Sequence, residues 1–164
     1  MISFPVSIMS LTAIQTSRLA APASNTVPAG RTQEALTTLI IDDQRSMRRI
    51  VRQLLASLHM HQTLEAGDGQ QALDLLMDPK TPWIDLIICD LVMEGVDGIG
   101  FLNRLRSEAA LRQRHIPVLI LTAERNELLL EVVRQVGAAD IAHKPISSPA
   151  LREKIEKLIG LQFS

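Results

Sequence analysis

The chain has 164 residues, 46% of them hydrophobic and 21% charged, with a formal net charge of -1. That balance suits one globular domain able to bury a full core, and it gives no electrostatic case for binding nucleic acid or an anionic membrane. No apolar run reaches the roughly 18 residues of a membrane span, and the single cysteine, Cys89, excludes an internal disulfide and fits a reducing, cytoplasmic setting.

Residues 1–35 mix Ser, Thr and Ala with Pro5, Pro22 and Pro28 and sustain no period. They read as a disordered tail ahead of a domain over residues 36–161. The opening imitates a secretory signal only faintly, because no basic residue precedes Arg18 and Pro5 interrupts the apolar stretch. A start assigned too far upstream, or a dispensable tail, is the reading adopted.

The stretch LTTLIIDDQ then brings Leu36, Leu39, Ile40 and Ile41 in a run that suits a strand buried on both faces of a parallel sheet, and it stops at Asp42 and Asp43. Adjacent like charges at the mouth of a buried strand repel each other and call for a hard divalent cation. After them Met47, Ile50, Val51, Leu54, Leu55 and Leu58 recur at helical spacing and predict a buried face. Arg45, Arg48, Arg49 and Arg52 share the other side, either as a solvated face or as a docking surface for an acidic partner helix.

A second strand is expected over residues 63–66, and Asp68-Gly69 opens a helix that Asp78 and Pro79 close. A third strand over residues 84–89 delivers Asp90, with Cys89 as a small buried hydrophobe. The loop MEGVDG leads into a helix carrying Ile99, Leu102 and Leu105. A fourth strand, Val118, Leu119, Ile120 and Leu121, runs into Thr122, and NELLLEVVRQVGA predicts a helix ending at Gly137. Leu128, Leu129 and Leu130 cannot all face inward. A fifth strand over residues 140–142 leads to His143, Lys144 and Pro145, and Ser148-Pro149 starts a last helix through Leu151, Ile155 and Leu158. His59, His61, His115 and His143 show no metal-ligand spacing, and Met47, Met60, Met77 and Met93 read as core or loop residues.

Five strand–helix units make an α/β fold, a doubly wound five-stranded parallel sheet flanked by five helices. Ligands of such sheets sit outside the carboxyl ends of the strands, where the winding reverses. One site is therefore expected from Asp42, Asp43, Asp90 and Thr122, with Lys144 as its cation. Magnesium suits the acids because it keeps part of its hydration shell. Asp90 is the candidate nucleophile for a phosphoryl group, whose oxygens Lys144 would neutralise and Thr122 would hydrogen-bond.

IIDDQRSMRRIVRQLL, LIICDLVMEGVDG, LILTAE and GAADIAHKP resemble the landmarks of the response-regulator receiver domain family, in its CheY-like, flavodoxin-like form. The resemblance implies the strand order 2-1-3-4-5 and a single-domain response regulator of a two-component or phosphorelay system. It implies that Asp90 takes phosphate from a sensor histidine kinase or a histidine phosphotransfer protein, and that Asp42, Asp43, Asp90 and the main chain of Val92 hold Mg2+. Thr122 and Lys144 would then report phosphorylation across a cis Lys144-Pro145 bond, to a separate protein target. The same resemblance makes the chain a monomeric phosphoacceptor with Mg2+-dependent self-phosphorylation and self-dephosphorylation, and not an enzyme of turnover.

Two departures stand out. Glu94 replaces the proline common after the methionine of the third loop, and Ile141 replaces the aromatic switch residue, in a chain with no tyrosine. Val92 and Glu124 occupy the family's variable tuning positions. A relay intermediate or phosphate sink is the alternative to an effector. A hydrolase of the haloacid dehalogenase type would carry a second acid two residues beyond the nucleophile, where this chain has DLVM, and a module with a silent site would lack some of these residues.

Overall fold

The computed structural model describes residues 32–163. The expectation of a disordered tail falls mainly on residues outside that range. A short 3-10 turn, Gln33–Ala35, leads into β1 (Thr37–Ile41), followed by α1 (Arg45–Ser57), β2 (Gln62–Ala66), α2 (Gly69–Met77) and β3 (Leu86–Cys89). The chain continues through α3 (Gly98–Ser107), β4 (Val118–Thr122), α4 (Glu127–Val136), β5 (Asp140–His143) and α5 (Ser148–Ile159). All four strand pairings are parallel and the order is β2-β1-β3-β4-β5. β1 thus lies between β2 and β3, at the point where the winding reverses.

Four helices, α2 to α5, start at a residue whose side chain satisfies an open backbone group. Asp68, Asp97, Asn126 and Ser147 cap the starts of α2, α3, α4 and α5 through their side-chain oxygens. Gly137, at φ 117°, and Gly160, at φ 69°, end α4 and α5 in the left-handed conformation that glycine tolerates. The apolar strands are buried on both faces, so the sheet divides the core. Phe101, Leu102, Leu105, Leu130 and Val133 cover one side, and Val51, Leu55, Leu151, Ile155 and Ile159 of α1 and α5 cover the other. Arg106 bolts α3 to its neighbours, donating to the carbonyls of Arg114 at 2.6 Å, Ile116 at 2.9 Å and Gly137 at 2.8 Å.

Three expectations need correction. The third strand begins at Leu86 and not at residue 84: Ile84 N donates to the side chain of Gln113, and at Asp85 the main-chain bond from its N–H to Thr37 O is answered by its carboxylate, which accepts from Thr37 N in place of a carbonyl. Ile50 stands 47% exposed although it falls in the apolar period of α1, while Val51 and Leu55 are fully buried. Met77 is also exposed, whereas Met60 and Met93 are in the core. Of the three consecutive leucines, Leu128 is the one left outside and Leu130 is fully buried.

Trp83 is exposed in the loop before β3, at the end of the sheet opposite Asp90. Its seven-residue separation from Asp90 corresponds to roughly 23 Å along an extended chain. Its fluorescence is expected to change little on Mg2+ addition. Strong quenching in a metal titration would mean that the ion binds elsewhere.

Candidate acidic phosphoryl site

Parallel pairing brings all five strands to the sheet's rim with their carboxyl ends on the same side. β1 pairs with β3 up to Ile41 opposite Cys89, so the next residue of each strand, Asp42 and Asp90, emerges side by side. Asp90 N donates to Ile41 O at 2.8 Å, which extends the ladder by one bond and fixes this juxtaposition. Both acids are buried, and Asp43, one residue beyond the strand, is exposed. One carboxylate oxygen from each of Asp42, Asp43 and Asp90 falls within a 4.8 Å cluster.

Lys144 closes the site from β5. Its Nζ donates to Asp42 Oδ2 at 2.8 Å and to Asp90 Oδ2 at 3.0 Å, so a cation lies between the two buried acids. Burial alone would push the lysine's pKa down, but its hydrogen bonds to Asp42 and Asp90 outweigh that and hold it above the ordinary value. The peptide bond that follows, Lys144-Pro145, is cis, as the resemblance implies.

Main-chain donors fix the acids further. Gln44 N reaches Asp42 Oδ1 at 2.8 Å, Leu91 N reaches Asp90 Oδ1 at 2.7 Å, and Glu94 N reaches Asp43 Oδ2 at 3.3 Å. The third loop, with Glu94 where proline is common, is therefore tied to the acidic cluster by its backbone. Val92 lies in this loop with its side chain exposed. Cys89 is inert: its buried thiol donates to Asp90 O, and burial, followed by the charge of Asp90, pushes its pKa up.

Thr122 ends β4, buried, with its main-chain carbonyl accepting from Lys144 N at 2.9 Å. Its hydroxyl accepts from Glu124 N at 3.1 Å, and no hydrogen bond joins it to Asp90 among the described residues. Glu124 folds back on the same loop, where the N–H groups of Asn126 and Arg125 hold its carboxyl below the usual range. Ile141 pairs with Ile120 across the sheet and is buried in the same cluster as Leu130 and Val133 of α4.

Arg48 belongs to the site's frame, which the reading of four equivalent arginines missed. It donates to Asp42 O at 2.8 Å and pairs with Glu65 of β2 at 3.0 Å, with only 16% of its side chain exposed. A signal was present in the sequence: an arginine one and a half turns beyond the strand end reaches back to it, and Glu65 ends the neighbouring strand.

The donor set is all oxygen and triply acidic, which fits a hard cation such as Mg2+ and not a soft metal. The profile of the response regulator receiver domain family matches residues 38–156. The chain is 39% identical over 121 residues to chemotaxis protein CheY-3 of Vibrio cholerae, covering 73% of this chain and 88% of that protein. It is 38% identical over 120 residues to chemotaxis protein CheY of Pseudomonas aeruginosa, covering 73% and 93%. Among solved structures, Vibrio cholerae CheY4 superposes with a TM-score of 0.65 at 25% identity, over 75% of this chain and 98% of that one. The receiver domain of the Pseudomonas aeruginosa sensor histidine kinase PA1611, solved with magnesium in its active site cleft, shares the fold at a TM-score of 0.66 and 23% identity, over 77% and 98%. With the strand order, the acidic cluster and the profile match in agreement, the chain belongs to the response regulator receiver domain family.

Proposed function

We propose that Asp90 accepts a phosphoryl group from a phosphohistidine on a sensor histidine kinase or histidine phosphotransfer protein, and that the chain then signals through protein contacts. The observation that carries this reading is the Lys144 bridge: one ammonium group holds Asp42 and Asp90 together at the rim of the sheet, next to the exposed Asp43. In the transfer a carboxylate oxygen of Asp90 forms a new P–O bond while the P–N bond of the phosphohistidine breaks, and the departing imidazole keeps the electron pair and takes up a proton. Lys144 neutralises phosphoryl oxygens, and the Thr122 hydroxyl turns from Glu124 N to donate to one of them. Asp42, Asp43, Asp90 and the Val92 carbonyl would hold Mg2+, which when bound offsets the negative charge of the acids and the phosphoryl group. Incubation with acetyl phosphate and Mg2+, followed by mass spectrometric mapping of the modified residue, tests the assignment. A label on any residue but Asp90 overturns it.

The readout we propose lies in the β4–α4 loop. Phosphorylation adds about -1.5 to -2 charge, and withdrawing Thr122 Oγ1 breaks its bond to Glu124 N, which in turn frees the carboxylate that organises Arg125 N and Asn126 N. A β-branched isoleucine, stiff at χ1 and already packed beside α4, has no hydroxyl to exchange. With a beryllofluoride phosphoryl mimic, NMR shift changes are expected at residues 123–126 and the first turn of α4, while the Ile141 methyl groups keep their rotamer. A rotamer flip at Ile141 with a still 123–126 loop would sink the idea.

A further inference from the structure

Strand β5 ends in a histidine whose ring is only partly satisfied. His143 Nδ1 is buried and has no hydrogen-bond partner among the described residues. Such an atom gave up water on folding and received nothing in return, which weighs against the state that contains it.

Strand register says where the ring stands. Ile120 and Ile141, opposite each other on β4 and β5, lie in the half of the core that holds Leu130 and Val133 of α4, whereas Leu121 and Ala142 lie in the half covered by α1 and α5. Side chains alternate along a strand, so the next pair, Thr122 and His143, returns to the α4 side with the two side chains next to each other. Glu124 N is held over the same place by Thr122 Oγ1, at 3.1 Å. His143 also shares a face with Ile141, two residues before it, so a chain that lacks an aromatic side chain at residue 141 carries a ring one step nearer the rim.

We propose that His143 completes the switch: when Thr122 Oγ1 turns to a phosphoryl oxygen, the Glu124 N–H that it releases donates to His143 Nδ1. The inference rests on the phosphoacceptor reading and adds the group that catches the β4–α4 loop. Hydrogen-bond accounting supports it. Before phosphorylation the bare atom is His143 Nδ1; afterwards, with no new acceptor, it would be Glu124 N, and a single bond between them satisfies both. With the ring proton on Nε2, Nδ1 is an acceptor, so the exchange moves no proton. The imidazole thereby does for the loop what the stiff, apolar Ile141 side chain cannot.

The test is NMR of the full chain with isotope-labelled nitrogen, at about pH 8, where a free imidazole is neutral. With Mg2+ and beryllofluoride added, a scalar coupling across the hydrogen bond between Glu124 N and His143 Nδ1 is expected to appear. Exchange of the Glu124 amide with solvent should then be about tenfold slower than in His143→Phe, which keeps a ring without a nitrogen. Without the mimic the parent and the variant should exchange alike. The coupling is read on the parent alone, so it decides the matter even where the variant folds poorly. A coupling already present before beryllofluoride is added, or none after it while the His143 ring nitrogens stay unshifted, would overturn the inference. The same spectra separate the two readings. If the mimic shifts Asp42, Asp90 and Thr122 but not the His143 ring, the switch assignment alone fails; if it shifts none of them, the phosphoacceptor reading fails.

Discussion

Asp90→Asn is expected to take no phosphoryl label above background from acetyl phosphate, while folding and melting like the parent. The amide keeps the size of the carboxylate and can still accept from Leu91 N, but it lacks the anionic oxygen that attacks phosphorus. Asp42 is held in the same way as Asp90, with one oxygen on a main-chain N–H and the other on Lys144 Nζ, so the variant also tests whether Asp42 can substitute as the acceptor. Chelating Mg2+ in the parent is expected to slow labelling on the order of a hundredfold, the scale on which one preorganised electrostatic contact acts. Among the described residues Lys144 is the one cationic side chain that pairs with the carboxylates of Asp42 and Asp90, so three carboxylates would otherwise face the incoming anion with a single positive charge between them. The proposal is falsified if Asp90→Asn labels as well as the parent, or if chelation leaves the rate unchanged.

Gly98→Ala is expected to damage both stability and chemistry, although residue 98 touches no substrate. A Cβ at Gly98 would lie 2.6 Å from Asp90 O and 2.9 Å from Leu91 Cα, both backbone atoms that cannot rotate away. Gly98 N also donates to Leu91 O at 3.0 Å, so the start of α3 rests directly on the peptide that carries the phosphoacceptor. Relief requires α3 or the Asp90-Leu91 segment to move. Overpacking of this kind costs about 1–3 kcal/mol, which corresponds to a melting point lower by roughly 5–15 °C. A nucleophile displaced by about 1 Å can lose roughly a hundredfold in rate. Gly100→Ala, two residues further on, is the control: its Cβ would meet only side-chain atoms, at 3.3 and 3.4 Å, and alanine suits a helix better. Thermal melting and acetyl phosphate labelling of the two variants decide the matter. If Gly98→Ala behaves like Gly100→Ala in both, α3 is not what sets Asp90.

The strand ends were legible in the sequence because each apolar run of β1, β3 and β4 stops at a polar residue, and parallel pairing sends those stops to the same rim. The start of α2 at Asp68, the end of α4 at Gly137 and the start of α5 at Ser148-Pro149 were legible for a similar reason, being local patterns, although the residue that caps α5 is Ser147. What escaped depends on contacts distant along the chain. The start of β3 is decided by Gln113 and Thr37, far from it in sequence. Helical spacing assigned Ile50 to the buried face with Val51, yet Ile50 is 47% exposed and lies outside the core cluster that holds Val51 and Leu55. Arg48 and Arg49 are indistinguishable by type and adjacent in sequence. One helical step of rotation aims the first at Asp42 and Glu65 and leaves the second in solvent.

That step of rotation bears on how copies of such a gene could diverge. Arg45 and Arg49 are exposed and hold no other part of the described molecule, so replacing them changes the outer charge of α1 without disturbing the acids, the lysine or either half of the core. A duplicated copy can therefore drift at these two positions while its acidic cluster and its packing stay as they were.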